Sequence, residues 1–143
     1  MTALVRKAQK DDAKALADLH RGEGWCYDDE NVLNDYWDDA FDKESIIVAE
    51  VDGLVAGTIE LAKAYKARFG YFGVIRRFVV HPDCRGKGVG RKLMSYALEE
   101  AKRIGCNAIE LSIDPQNTRA HKFYESIGFA DDRMEVLMVK LLK

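Results

Sequence analysis

Residues 85–91 read Arg-Gly-Lys-Gly-Val-Gly-Arg, so three glycines alternate with larger residues and three cations stand among them. Bare glycine backbone reaches dihedrals closed to other residues. Successive N–H groups can then converge on one point. If a helix begins there, its dipole adds positive potential. Arg85, Gly86, Lys87, Gly88, Val89, Gly90 and Arg91 therefore make a phosphate cradle. A nucleotide P-loop would need Ser or Thr after Gly-Lys, and here Gly88 follows Gly86-Lys87. A dinucleotide fingerprint would need G-x-G-x-x-G, and the spacing here is G-x-G-x-G. A ligand-free strand-to-helix turn leaves the three glycines and three cations unexplained.

The cradle needs a strand before it and a helix after it. Phe78-Val79-Val80 is an apolar run that reads as a buried strand, and Pro82 stops it because it has no N–H for a ladder. After the loop, Leu93, Ala97, Ala101 and Ile104 make one buried stripe, predicting a helix over 90–104 that Gly105 ends. Upstream, 4–8 reads as a strand and 11–22 as a helix. Residues 45–50 and 54–65 read as strands joined by an Asp52-Gly53 hairpin turn, and 71–80 completes an antiparallel meander. Residues 107–113 alternate as a strand. Following a crossover helix, it should lie parallel to 71–80. Asn117 is a good N-cap for a helix through Ser126, Gly128 closes that helix, and 134–142 reads as a last strand.

Between these elements, residues 23–44 are acidic and aromatic, and a helix is expected over 29–41. Either this is a solvated face over core aromatics, or Trp25, Tyr27 and Asp28 belong to a wall that attracts a cationic amine. Arg76 and Arg77 are adjacent, so strand alternation should send one to each face.

The 143 residues form one expected domain, 1–143, with enough apolar content to close a core. The formal net charge of −2 gives no basic field for nucleic acid. No apolar run approaches a membrane span, and the start lacks a signal peptide. Three widely spaced cysteines and three unclustered histidines suggest neither a disulfide framework nor a metal site, and a cytoplasmic location is expected.

Two segments together carry a resemblance. Residues 80–90, V-H-P-D-C-R-G-K-G-V-G, and residues 117–129, N-T-R-A-H-K-F-Y-E-S-I-G-F, resemble the two signatures of the GNAT superfamily of N-acetyltransferases. They stand in the right order, with a helix and a strand between. The resemblance implies an α/β fold with a mixed, mostly antiparallel sheet, helices on both faces, and a splayed parallel strand pair. It implies acetyl-CoA as co-substrate, with no metal. The cradle would hold its diphosphate, and Phe78, Val79 and Val80 would line its pantetheine arm. Asn117 and Tyr124 would complete the cofactor site. The Val80 amide would stabilise negative charge on the thioester oxygen. Tyr124 would be the general acid, because a phenol of pKa ~10 suits a thiol of ~8.5.

The base is left open. The family's usual carboxylate position on the fourth strand holds Val74 or Arg76 here, so Glu60, Glu23, Asp28 or a water chain would serve. Arg76 would bind an acceptor carboxylate or phosphate if it faces the cleft. The expected reaction is acetyl transfer to a primary amine of a small molecule, with a protein N-terminus or lysine as the alternative acceptor. A non-catalytic CoA-binding module is the reading from another class. The last strand offers an edge for pairing in a homodimer.

Overall fold

The computed structural model describes residues 2–24 and 46–142. The predicted helix over 29–41, and Trp25, Tyr27 and Asp28, lie outside the described residues. The chain divides into two compact units, Met1–Leu111 and Ser112–Lys143.

In the first unit, β1 (Ala3–Lys7) leads through a short 3-10 turn, Lys10–Asp12, into α1 (Ala13–Gly22). Then β2 (Ile46–Val51), β3 (Leu54–Lys66) and β4 (Gly70–Val80) form the expected antiparallel meander. Asp52 and Gly53 both have positive φ, 53° and 79°, as the Asp-Gly hairpin turn requires. A second 3-10 turn, Pro82–Cys84, precedes α2 (Val89–Arg103), and β5 (Ile109–Glu110) follows it. The sheet order is β1-β2-β3-β4-β5, and only the β4–β5 pair is parallel.

Helices cover both faces of this sheet. Ile46 and Val48 pack with Ala13, Leu16 and Ala17 of α1. Their neighbours Ile47 and Ala49 point the other way and pair with Ile59 and Gly57. A Cβ on Gly57 would meet Leu93 Cδ1 at 3.0 Å, which places α2 over that second face. Alternation explains why four successive residues of β2 are buried. Gly105, at φ +90°, ends α2 as a Schellman cap, with Cys106 N–H donating to Ala101 O and Gly105 N–H to Lys102 O.

The second unit contains α3 (Thr118–Ser126), capped by Asn117, whose Oδ1 accepts from the Ala120 N–H at 3.1 Å. Gly128, at φ +99°, closes it, and Phe129 N–H donates back to Tyr124 O. The expected strand over 134–142 is not formed: these residues lie outside any regular element, and Val136, Leu137, Met138 and Leu142 are exposed. A strand needs a hydrogen-bonding neighbour, and this unit contains no other strand among its described residues. β5 is also shorter than the predicted 107–113.

Candidate active site

Two of the loop's three glycines take the left-handed dihedrals that glycine favours, while Gly90 lies within α2. Gly86 and Gly88 have φ of +75° and +84°, and a Cβ on either would meet nothing within 4 Å. Dihedral angle, not crowding, explains these glycines. Gly88 is the N-cap of α2 and no side chain caps the helix. The first-turn N–H groups of Val89, Gly90 and Arg91 have no acceptor within the helix. The loop 85–88 is exposed, and Val89 behind it is buried. A diphosphate fits this donor set, through backbone N–H groups and the positive end of a 15-residue helix. The cations are arranged less simply. Lys87 Nζ donates to Asp83 O at 3.1 Å. Arg85 Nε donates to Val80 O at 2.9 Å, and its Nη2 to Glu23 Oε1 at 2.8 Å.

The strand before the cradle opens on one side. β4 pairs with β5 only at Gly73↔Ile109 and Val74↔Glu110. Beyond that, among the described residues, no strand lies beside 75–80 on the β5 side. The ladder shows which backbone groups face this gap. Gly73 N–H donates to Ala108 O and Tyr71 O accepts from Asn107 N–H, so odd-numbered residues face β5 there. At the far end His81 N–H donates to Ala56 O at 2.7 Å, so residue 81 faces β3 and Val80, one residue earlier, faces the gap. Strict alternation from Gly73 would have turned Val79 outward instead. The parity changes because Thr58 pairs with Val79 while Glu60 pairs with Arg76, leaving one extra residue in β4. That residue is Arg77, at φ +47°. The Val80 N–H thus faces the side of β4 away from β3.

The bulge also corrects the expectation for the arginine pair. Arg76 and Arg77 do not part to opposite faces; both reach Glu60. Arg77 Nη1 lies 3.4 Å from Glu60 Oε2, and Arg76 Nε lies 4.0 Å from Oε1. Glu60 pairs with Ile46 across β2–β3, which places it on the α1 face of the sheet. It is 4% exposed, whereas Arg76 is on the surface. Phe78 and Val79 follow the bulge, with Val79 buried and Phe78 half-buried.

In the second unit, Tyr124 is half-buried, its ring packed edge-on against Phe123 and Phe129 at centroid distances of 5.3 and 5.7 Å. Burial pushes its phenol above the ordinary tyrosine value, so it is a proton donor at neutral pH. Asn117 Oδ1 serves as the helix cap. His121, on the same helix, is flanked by Asp131 at 2.5 Å and Glu125 at 3.2 Å. The Asp131 hydrogen bond raises its pKa. Among the described residues no group of three His, Cys, Asp or Glu could hold a metal ion, and no helix is long and apolar enough to cross a membrane.

Two features escaped sequence reasoning. Nothing in the letters marks Arg77 for the left-handed region, which disfavours arginine. The Glu23–Arg85 pair joins residues 62 positions apart. Its only local trace is an acidic residue at the end of α1, where a helix dipole disfavours one.

A cradle at a helix start, beside a strand edge left open by a bulge, suits a phosphate-bearing acyl carrier laid along β4. Comparison with known proteins gives the family. The description of the Acetyltransferase (GNAT) family matches residues 3–129, and the chain belongs to that family. It is an acyltransferase of the N-acetyltransferase type. An uncharacterized N-acetyltransferase from Archaeoglobus fulgidus is 33% identical over 131 residues, covering 85% of this chain and 89% of that protein. An L-methionine sulfoximine/L-methionine sulfone acetyltransferase from Salmonella typhimurium is 30% identical over 135 residues, covering 87% and 78%. The solved structure of an aminoglycoside N-acetyltransferase in complex with CoA shares the fold, with a TM-score of 0.82 at 17% identity over 97% of this chain and 95% of that one.

Proposed function

We propose that this chain transfers an acetyl group from acetyl-CoA to the primary amine of a small, amino-acid-like acceptor, by direct attack in a ternary complex. The observation that carries this reading is the Val80 N–H turned into the gap beside β4, next in the chain to an uncapped, glycine-built helix start. Acetyl-CoA supplies a thioester already activated toward amines. The protein's contribution is position and a fixed dipole. The N–H groups of 86–91 hold the diphosphate, and the edge of Phe78 and Val80 lines the path of a peptide-like arm. The Val80 N–H stabilises negative charge that develops on the acyl oxygen, and Tyr124 donates a proton to the departing thiol.

Glu60 serves this site by anchoring Arg76 and Arg77; to act as a base it would first have to leave both guanidinium groups. Arg76, on the α1 face and only loosely held at 4.0 Å, takes the acceptor's carboxylate. The Salmonella relative, whose named acceptors are amino-acid derivatives, supports that class.

Calorimetry with CoA, followed by an acceptor screen over amino acids, plain amines and peptides, tests the proposal. Binding at micromolar CoA and turnover with an amino acid are expected. Arg76→Ala should raise KM about tenfold for amino acids and leave plain amines unchanged. An unaltered KM for every acceptor would remove Arg76 from the site.

A further inference from the structure

We infer that Glu23 and Arg85 are positioning residues that aim the Val80 donor, and that the Arg85 guanidinium is not a phosphate ligand. The inference rests on the acetyl-transfer reading for its kinetic consequences, though its geometry stands without it. Arg85 lies in the cradle, but its side chain turns back along the strand. Nε donates to the Val80 carbonyl at 2.9 Å and Nη2 to Glu23 Oε1 at 2.8 Å, so two of the three guanidinium nitrogens are engaged within the protein.

The Val80 carbonyl matters because of what shares its residue. In an antiparallel strand the N–H and C=O of one residue point to the same side. A donor clamped onto Val80 O therefore fixes the rotation of the residue whose N–H faces the gap. Little else does. His81 N–H to Ala56 O is the last ladder bond, and Pro82 cannot continue it. Arg85 replaces the missing β-partner at the strand's end.

Glu23 explains how Arg85 keeps that pose. Its backbone closes α1, with its N–H donating to His20 O, so its side chain starts from a fixed point. A carboxylate there opposes the helix dipole, and the guanidinium offsets this. Only a fork spans both partners. Lysine, with one ammonium, would hold Glu23 or Val80 O but not both.

The test measures CoA affinity, turnover and amide exchange together. Arg85→Ala should lower kcat about tenfold while the Kd for CoA stays within about twofold, since a misaimed donor weakens the transition state rather than ground-state binding. Arg85→Lys should behave like Arg85→Ala. Glu23→Ala should lower kcat a few-fold, Glu23→Gln less, and the Glu23→Ala/Arg85→Ala double variant no further than Arg85→Ala alone. Ethylguanidine should restore part of the Arg85→Ala turnover. In the ligand-free protein, the His81 amide should exchange faster in both alanine variants.

A Kd for CoA raised about tenfold with kcat intact would overturn the inference and make Arg85 a phosphate ligand. Unchanged exchange at His81 in both variants would overturn it independently. If the wild type bound no CoA, acetyl transfer would fail as the function, while the exchange measurement would still decide whether Glu23 and Arg85 hold the strand end.

Discussion

Residues 71–74 of β4 are held by backbone on both sides; among the described strands, residues 75–80 pair with β3 alone. The first half is packed so closely that a Cβ on Gly73 would lie 2.7 Å from both Ile109 Cδ1 and Leu61 Cδ1. One strand thus supplies a segment paired on both sides and a segment beyond the reach of β5, and Arg77 lies within the second. On the proposed reading, the asymmetry means that the cofactor site is built largely from main chain, with Arg76, Arg77 and Arg85 holding that main chain or choosing what approaches it.

The largest effect should come from erasing the division. Deleting Arg77 would leave β4 regular, without the added twist of a bulge. Pairing with β5 should extend past Val74 and close the gap. Turnover should fall about 100-fold or more, the scale of losing an oxyanion donor, while the protein stays folded. Arg77→Gly is the control. It keeps the extra residue, relieves a side chain from the left-handed region, and should retain most of the activity. Equal activity in the deletion and the glycine variant would show that the bulge is not what opens the site.

A smaller loss separates charge stabilisation, which the proposal assigns to the second half of β4, from proton delivery. Tyr124→Phe keeps the packing against Phe123 and Phe129 but removes the donor. Turnover should drop about 10- to 100-fold, with KM for acetyl-CoA held within a few-fold. The pH profile sharpens the assignment. Burial raises the Tyr124 pKa, so the phenol remains protonated through neutral pH and ionises only above the ordinary value of ~10. Wild-type turnover should therefore decline in the alkaline range as that proton is lost, and the phenylalanine variant should lack that decline.

The paired half of β4 was legible in the sequence and the open half only partly so. Asp52-Gly53, the stripe from Leu93 to Ala101, Gly105, Asn117 and Gly128 each announce a local structure, and each takes it. These are signals carried by one residue's dihedral freedom or by a helix's period. The cradle was legible for the same reason. The bulge was not, because a left-handed arginine depends on register across three strands and is written in no single residue. The parting of Arg76 and Arg77 failed with it: alternation assumes a regular ladder. The expected strand over 134–142 shows a different limit. Its composition favours a strand, but pairing needs a neighbour that composition does not supply. The Glu23–Arg85 link is tertiary in the same sense.

Loading the rigid half tests whether it is a base rather than a site. Gly73→Val would force Ile109 and Leu61 to shift, an overpacking that costs about 2 kcal/mol. The thermal midpoint should fall by several degrees, while kcat per folded molecule stays near wild type. A Gly73→Val protein with normal stability and lost turnover would mean that the β4–β5 junction itself takes part in the chemistry.

The smallest expected effect sharpens the comparison through two buried carboxylates, one far from the gap and one beside it. Asp12 Oδ2 and Oδ1 accept from Arg6 at 2.8 and 2.9 Å, and Oδ2 also accepts from the Gln9 N–H at 2.7 Å. Glu60 holds its arginines at 3.4 and 4.0 Å. Saturated, short contacts mark Asp12 as a fastener for β1 and α1. Burial alone would raise its pKa, but the Arg6 and Gln9 hydrogen bonds outweigh burial and lower it. A folded pKa below the unfolded one means that the stabilisation is complete above the ordinary carboxylate value and is lost as pH falls through the folded value. Asp12→Asn should cost about 1.5 kcal/mol in urea unfolding at neutral pH. That cost should shrink as pH falls below the ordinary carboxylate range and the wild-type carboxylate also takes up its proton. Turnover per folded molecule should not change. If it does, the fastener at the sheet's first edge is coupled to the opening at its fourth strand, and the two halves of β4 are not as separate as their hydrogen bonds imply.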